Sequence, residues 1–150
     1  AAGGEVKKAK ESQIGIAEEI EINETGSSSP LYFKKERKFN SPAFNFDEVT
    51  TLPKNAICLA SNRINKIQSL YFELEKTRIW GLQYHPEITY EKMISLIKFR
   101  KDRLINTKRC FNSEAEIQNH ISFIEEEIKK SEKDSRMLEL KNWLDYLKAA

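Results

Sequence analysis

The residues best suited to chemistry lie in Gly81-Leu82-Gln83-Tyr84-His85-Pro86-Glu87. In an extended backbone, residues i and i+2 point to the same side, so His85 and Glu87 can be neighbours. A carboxylate beside an imidazole fixes its tautomer and offsets the positive charge the ring gains in turnover. The histidine can then take a proton from a thiol and return it to a leaving amine. Such a pair is two-thirds of a nucleophile–base–orienter triad. A plainer reading also stands: His85 ends a strand at the surface and Glu87 is solvated, since His-x-Glu recurs by chance. Pro86 is either scaffolding for a catalytic loop or an ordinary approach to a helix.

The other reactive side chains offer less. Cys58 sits among aliphatics in Ala56-Ile57-Cys58-Leu59-Ala60, without the small residues of a strained nucleophile turn, and reads as a buried strand thiol. Cys110, on a polar connection, reads as an incidental thiol, and His120 as a surface residue at the start of an exposed helical stretch. Cys58 and Cys110 share no metal-type spacing with each other or with the histidines, so neither a metal nor another cofactor is expected.

The elements that must position His85 can be read from periodicity. Ile14, Ile16, Ile20 and Ile22 alternate well enough for one strand, and Thr25 to Pro30 is a turn or loop. Asp47 is expected to cap a single helical turn that Pro53 ends. Three strand-like segments follow, at 56–60, 67–74 and 78–84, the last two joined as a hairpin through Glu75-Lys76-Thr77. Thr89 can cap a helix with Met93, Leu96, Ile97 and Leu104 on one face. Ser113 and Glu116 form a capping box before the stripe Ile117, Ile121, Ile124 and Ile128. Leu140, Trp143, Leu144 and Leu147 make a second stripe, so residues 113–148 read as a helical hairpin burying its own apolar faces.

Composition narrows the class. With 150 residues, 39% hydrophobic and 32% charged, the chain has room for one domain with a real core. No apolar run approaches the roughly 18 residues that span a bilayer, and the first residues lack a signal-peptide core, so a cytoplasmic protein is expected. A formal net charge of +2 lacks the basic footprint of a nucleic-acid binder. The clusters Lys34, Lys35, Arg37, Lys38 and Arg100, Lys101, Arg103 read as solvated faces. Gly3 and Gly4 suit a helix C-cap running into a strand from Glu5, which leads one to expect further chain upstream.

The segment Gln83-Tyr84-His85-Pro86-Glu87 resembles the Q-F/Y-H-P-E signature of class I (triad-type) glutamine amidotransferases. Ala1 to Val6, Ser12-Gln13-Ile14-Gly15 and Leu59-Ala60-Ser61-Asn62 are similar, in order, to further segments of that family. Phe44-Asn45-Phe46-Asp47-Glu48-Val49 with Leu52-Pro53 resembles its H-x-D-x-V…L-P segment. The likeness covers residues 1–105, is nearest the GMP-synthase-like group, and leaves 106–150 as a helical appendage.

The resemblance implies an α/β, flavodoxin-like domain, present here as its C-terminal half with a C-terminal helical hairpin. It implies hydrolysis of the glutamine side-chain amide through a cysteinyl thioester, with ammonia passed to a synthase partner. His85 would be the general base and acid, Glu87 its orienter, and Phe44, Asn45, Phe46 and Asp47 would lie beside the glutamine. Two departures stand out. Asn45 and Phe46 replace the family's usual His and frequent Gly, and these 150 residues contain no G-x-C-x-G elbow to supply the nucleophile and oxyanion donors. The chain is therefore expected to be inactive alone and to need an N-terminal half. The alternative is a non-catalytic pseudoenzyme or interaction module on the same fold. Loss of half a doubly wound sheet would also leave the chain marginally stable or prone to aggregate.

Overall fold

The computed structural model describes residues 2–131 and 133–149. The expected single strand at 14–22 is two strands, because the chain turns at Gly15, whose φ is +85°. The first, β1 (Glu5–Ile14), pairs with β4 (Phe44–Thr51). The second, β2 (Ala17–Ile22), enters a five-stranded sheet of order β3-β2-β5-β6-β7, made with Lys38–Ser41, Ile57–Ser61, Ser69–Leu74 and Thr77–Leu82. Every pairing in both sheets is antiparallel. The β6–β7 hairpin forms as expected, with Glu75 taking the positive φ of its tight turn.

Asp47 caps no helix. It lies within β4 opposite Lys8, because Phe44, Phe46 and the β-branched Val49-Thr50-Thr51 favour a strand once β1 offers an edge.

The helices begin where their caps require. Thr89 accepts from the Lys92 amide at the start of α2 (Tyr90–Phe99), after a short α1 (Glu24–Ser27) and a 3-10 turn at Pro30–Tyr32. A π turn (Arg103–Thr107) leads to α3 (Glu114–Lys130), where Ser113 Oγ accepts from Glu116 N and Glu116 Oε2 accepts from Asn112 N. The chain closes with α4 (Lys133–Arg136) and α5 (Leu138–Ala149). No helix among the described residues is long and apolar enough to cross a membrane.

Two cores hold these elements. One gathers Ile14 and Ile16 with Ile94 and Ile97 of α2, Leu104, and Ile117, Ile121 and Ile124 of α3. The other joins Ile20, Ile22 and Leu59 of the sheet to Leu31, Tyr32 and Tyr84. Each fully buried aliphatic side chain removes enough apolar surface for about 1.5–3 kcal/mol. The helices after residue 105 thus share their packing with strands that precede it. They dock separately, α3 on α2 and α5 on the 3-10 turn.

Three surface readings are corrected. His120 is not free: its ring, between Phe111 and Phe123, donates from Nε2 to the Ile14 carbonyl at 2.6 Å. Lys35 leaves its basic cluster and is buried, its Nζ 3.1 Å from Glu139 Oε2. Helix α5 is turned over relative to its apolar stripe. Trp143, Leu144 and Leu147 are exposed, while Glu139 and Asn142 are buried. The cause is polar: the 3-10 turn presents the Leu31 and Phe33 carbonyls, and Asn142 Nδ2 donates to both, at 2.9 and 2.8 Å. Buried carbonyls must be satisfied, and here that requirement outranks burial of the stripe.

Candidate functional site

Strand β7 ends at Leu82, and Gln83-Tyr84-His85 continue it out of the sheet. A bond from another part of the chain holds nearly every residue of this exit. The Gln83 amide donates to the Gln68 carbonyl at 2.8 Å, and Asn45 Nδ2 donates to the Gln83 carbonyl at 2.5 Å. His85 N donates to the Pro42 carbonyl at 2.7 Å, and Ile88 N closes back on the His85 carbonyl at 3.1 Å. Arg136 Nη1 donates to the carbonyls of Pro86 and Ile88, the latter at 2.8 Å.

Beneath the exit lies a buried polar chain. Tyr84 OH donates to Glu139 Oε1 at 2.9 Å and lies 2.8 Å from Tyr32 OH, which donates to Ser69 Oγ at 2.6 Å. Burial, with Tyr32 and Glu139 adding, pushes the Tyr84 phenol well above the ordinary tyrosine range. Glu139 also accepts from Lys35, whose ammonium is pulled below the usual lysine value, chiefly by burial and against the attraction of Glu139.

On this support, His85 Nδ1 and Glu87 Oε1 lie 2.8 Å apart, with side chains 38% and 51% exposed. An ionised carboxylate only accepts, so the neutral ring carries its proton on Nδ1 and leaves Nε2 free to accept one. The two side chains are neighbours as anticipated, but not through an extended backbone. Pro86 and Glu87 lie in a turn that Ile88 N closes on the His85 carbonyl, and the turn brings the carboxylate back to the ring.

The segment from Phe44 to Asp47 divides by strand alternation. Asn45 reaches the motif strand through Gln83. Phe44 and Phe46 pack edge-to-face at 5.7 Å against the first core, under Arg100 and Lys108 respectively. Asp47 is exposed opposite Lys8. The thiols lie elsewhere. Cys58 donates to the Ala60 and Lys66 carbonyls, burial raises its pKa, and Cys110 packs on the first core. Among the described residues, neither thiol bonds to His85.

Grooves of about 510, 410, 270 and 240 Å³ lie on the described surface, and His85 lines none of them. Among the described residues, no three His, Cys, Asp or Glu side chains are grouped as metal ligands.

Lys35, Arg136, Glu139 and Asn142 were not legible as site supports. Charged and amide residues at helical spacing carry the signature of a solvated face, and nothing local marks these as exceptions.

No family model matches the chain. Over 98% of its length it is 30% identical to a γ-glutamyl-L-1-hydroxyisopropylamide hydrolase of a Pseudomonas species, of which it spans 56%. It superposes on a glutamine amidotransferase of Thermotoga maritima with a TM-score of 0.63 at 18% identity, covering 97% of this chain and 55% of that one. A glutamine amidotransferase of Methylobacillus flagellatus gives 0.64 at 13% identity, with 96% and 56% covered. The chain therefore spans a little over half the length of each of these proteins. At such identities the solved structures establish the fold.

Proposed function

We propose that this chain, whose α/β fold is that of class I glutamine amidotransferases, supplies the general base and its orienter for hydrolysis of a γ-glutamyl amide. The observation that carries the reading is the 2.8 Å contact between His85 Nδ1 and Glu87 Oε1, which leaves Nε2 open. The similar Pseudomonas hydrolase and the two amidotransferases have in common, by name, a γ-glutamyl amide or glutamine as substrate.

In this reading His85 Nε2 takes the proton of a cysteine thiol carried outside these 150 residues. The thiolate attacks the γ-carbonyl carbon, and the tetrahedral adduct collapses to a thioester. The amine leaves with the proton returned by His85. Water, deprotonated by the same ring, then releases glutamate and restores the thiol. With glutamine the amine is ammonia, which a synthase partner would consume. With a substituted amide it is an alkylamine, and no acceptor is needed. Asn45 would act through the Gln83 carbonyl, and the Phe44–Asp47 strand would flank the substrate.

The test supplies, as a second polypeptide, the part of the Pseudomonas hydrolase that this chain does not span, and measures ammonia from glutamine and amine from a γ-glutamyl alkylamide. Hydrolysis by the pair, reduced about 10²–10⁴-fold by His85→Ala, is expected. Absence of any release would favour the second reading, a non-catalytic interaction module. Phe46 at a position where the family often has Gly, and the exposed Trp143, Leu144 and Leu147, speak for that one.

A further inference from the structure

We infer that Arg136 is the positioning residue of the His85–Glu87 pair, and that the C-terminal helices act as a clamp on the catalytic loop rather than as an appendage. The inference rests on the reading of His85 as the base.

The loop after Tyr84 has few internal means of holding its shape. Pro86 has no N–H, and Ile88 N on the His85 carbonyl is the backbone bond recorded within the turn. Without further restraint, Glu87 could swing away from the imidazole, since an exposed carboxylate–imidazole contact is weakly held. Arg136 removes that freedom. It is 8% exposed, and Nη1 reaches the carbonyls of Pro86 and Ile88, which bracket Glu87 in sequence. Each bond has a cationic donor, and such bonds are roughly twice as strong as neutral ones.

Arg136 is itself anchored. Three residues on, Glu139 is 0% exposed and ties α5 to Tyr84, the residue before His85, and to Lys35. Asn142, a further three on, bonds the 3-10 turn that places Lys35. The end of α4 and the start of α5 thus grip the loop from Tyr84 to Ile88. Burying a guanidinium is costly, and two carbonyl acceptors offset only part of that. The stability gained is small for the charge buried, and fixing Glu87 beside His85 is the return that accounts for it.

The two histidines provide the measurement. His85 is held as the Nδ1–H tautomer by Glu87, and His120 as the Nε2–H tautomer by the Ile14 carbonyl. Long-range ¹H–¹⁵N spectra of the ¹⁵N-histidine-labelled chain, taken about two pH units above the ordinary imidazole value of ~6.5, resolve both. In Arg136→Ala we expect His85 to lose its single-tautomer signal and become a mixture, with His120 unchanged. Arg136→Lys, which keeps a cationic donor, should recover much of the Nδ1–H form. A general loosening of the fold would move both rings, so His120 serves as the internal control. If Arg136→Ala does not fold, Arg136→Gln decides: a shift of His85 alone supports the clamp. A folded variant with His85 still wholly Nδ1–H overturns it. A wild-type chain whose His85 is not Nδ1–H overturns both the clamp and the assignment of His85 as base. Failure of the hydrolysis assay, with the clamp signature intact, overturns the assignment alone.

Discussion

Lys35 Nζ and Glu139 Oε2 lie 3.1 Å apart with their side chains 2% and 0% exposed, and they join positions 104 residues apart in sequence. A buried ion pair is weak evidence of net stabilisation, yet removing one member strands the other charge without a partner. Glu139→Leu should therefore destabilise the chain by about 3–5 kcal/mol, whereas Lys35→Met with Glu139→Leu should cost clearly less than the two single changes added. Denaturant melts of the two singles and the double test this. Additive losses would show that the two groups do not act as a pair.

Alkaline pH bears on the same polar chain and on Tyr90 of the first core. Burial raises the phenols of Tyr32, Tyr84 and Tyr90 above the ordinary value of 10. Above that pH the unfolded chain releases these protons and the folded one keeps them. The folded state then binds more protons, so stability must fall as pH rises beyond about 10. Lys35 acts in the opposite sense and over a lower range: its folded value lies below the ordinary 10.5, so its contribution rises as pH approaches that value. Phenolate absorbance and circular dichroism followed through one alkaline titration should show the three buried tyrosines ionising together with unfolding. Ionisation well before loss of ellipticity would contradict their burial.

Gly15 illustrates what could and could not be read beforehand. The alternation from Ile14 to Ile22 announced β-structure correctly. That the chain also changes sheets at Gly15 was not visible, because a positive φ leaves no trace in hydropathy. The contacts explain the residue: a Cβ there would lie 2.6 Å from Ile124 Cδ1 and 2.8 Å from Ile97 Cδ1. Gly15→Ala adds left-handed strain to overpacking, each costing about 1–3 kcal/mol, and a drop in melting temperature of many degrees is expected. An unchanged melt would mean that α2 and α3 do not close on this turn.

The candidate site shows the same division. The nearness of His85 and Glu87 was legible because two residues separated by one are local in any compact geometry, although a turn and not a strand's period brings them together. The Thr89 and Ser113 caps were legible for the same local reason. The support of the site was not, because Arg136, Glu139 and Asn142 lie about 50 residues or more from the backbone and side chains they serve. Asn45 falls between the two cases. The resemblance singled it out as a residue beside the substrate, but neither its strand nor its bond to Gln83 could be read. Loss of that bond in Asn45→Ala should cost about 0.5–1.5 kcal/mol. It should also lower turnover in the reconstituted hydrolysis more than it weakens substrate binding, a separation that kcat and KM report. A change in KM alone would place Asn45 on the substrate rather than on the motif strand.

Helix α5 offers the sharpest contrast between stripe and contact. Its apolar residues predict a buried face, and Trp143, Leu144 and Leu147 stand instead at 40%, 48% and 51% exposure. Its buried positions are polar because they answer polar groups: Asn142 for two carbonyls, Glu139 for Lys35 and Tyr84. Leu144→Lys with Leu147→Glu should thus leave stability within about 0.5 kcal/mol, as surface changes do, and should reduce self-association, since the exposed patch is broken. Asn142→Leu, which a hydrophobic-face reading would favour, should destabilise by about 1–3 kcal/mol, chiefly through the buried Leu31 carbonyl left unsatisfied. Melting temperature and sedimentation of the two variants together decide the orientation of α5. The reverse ranking, a tolerated Asn142→Leu and a damaging Leu144→Lys, would mean that the apolar stripe faces inward after all.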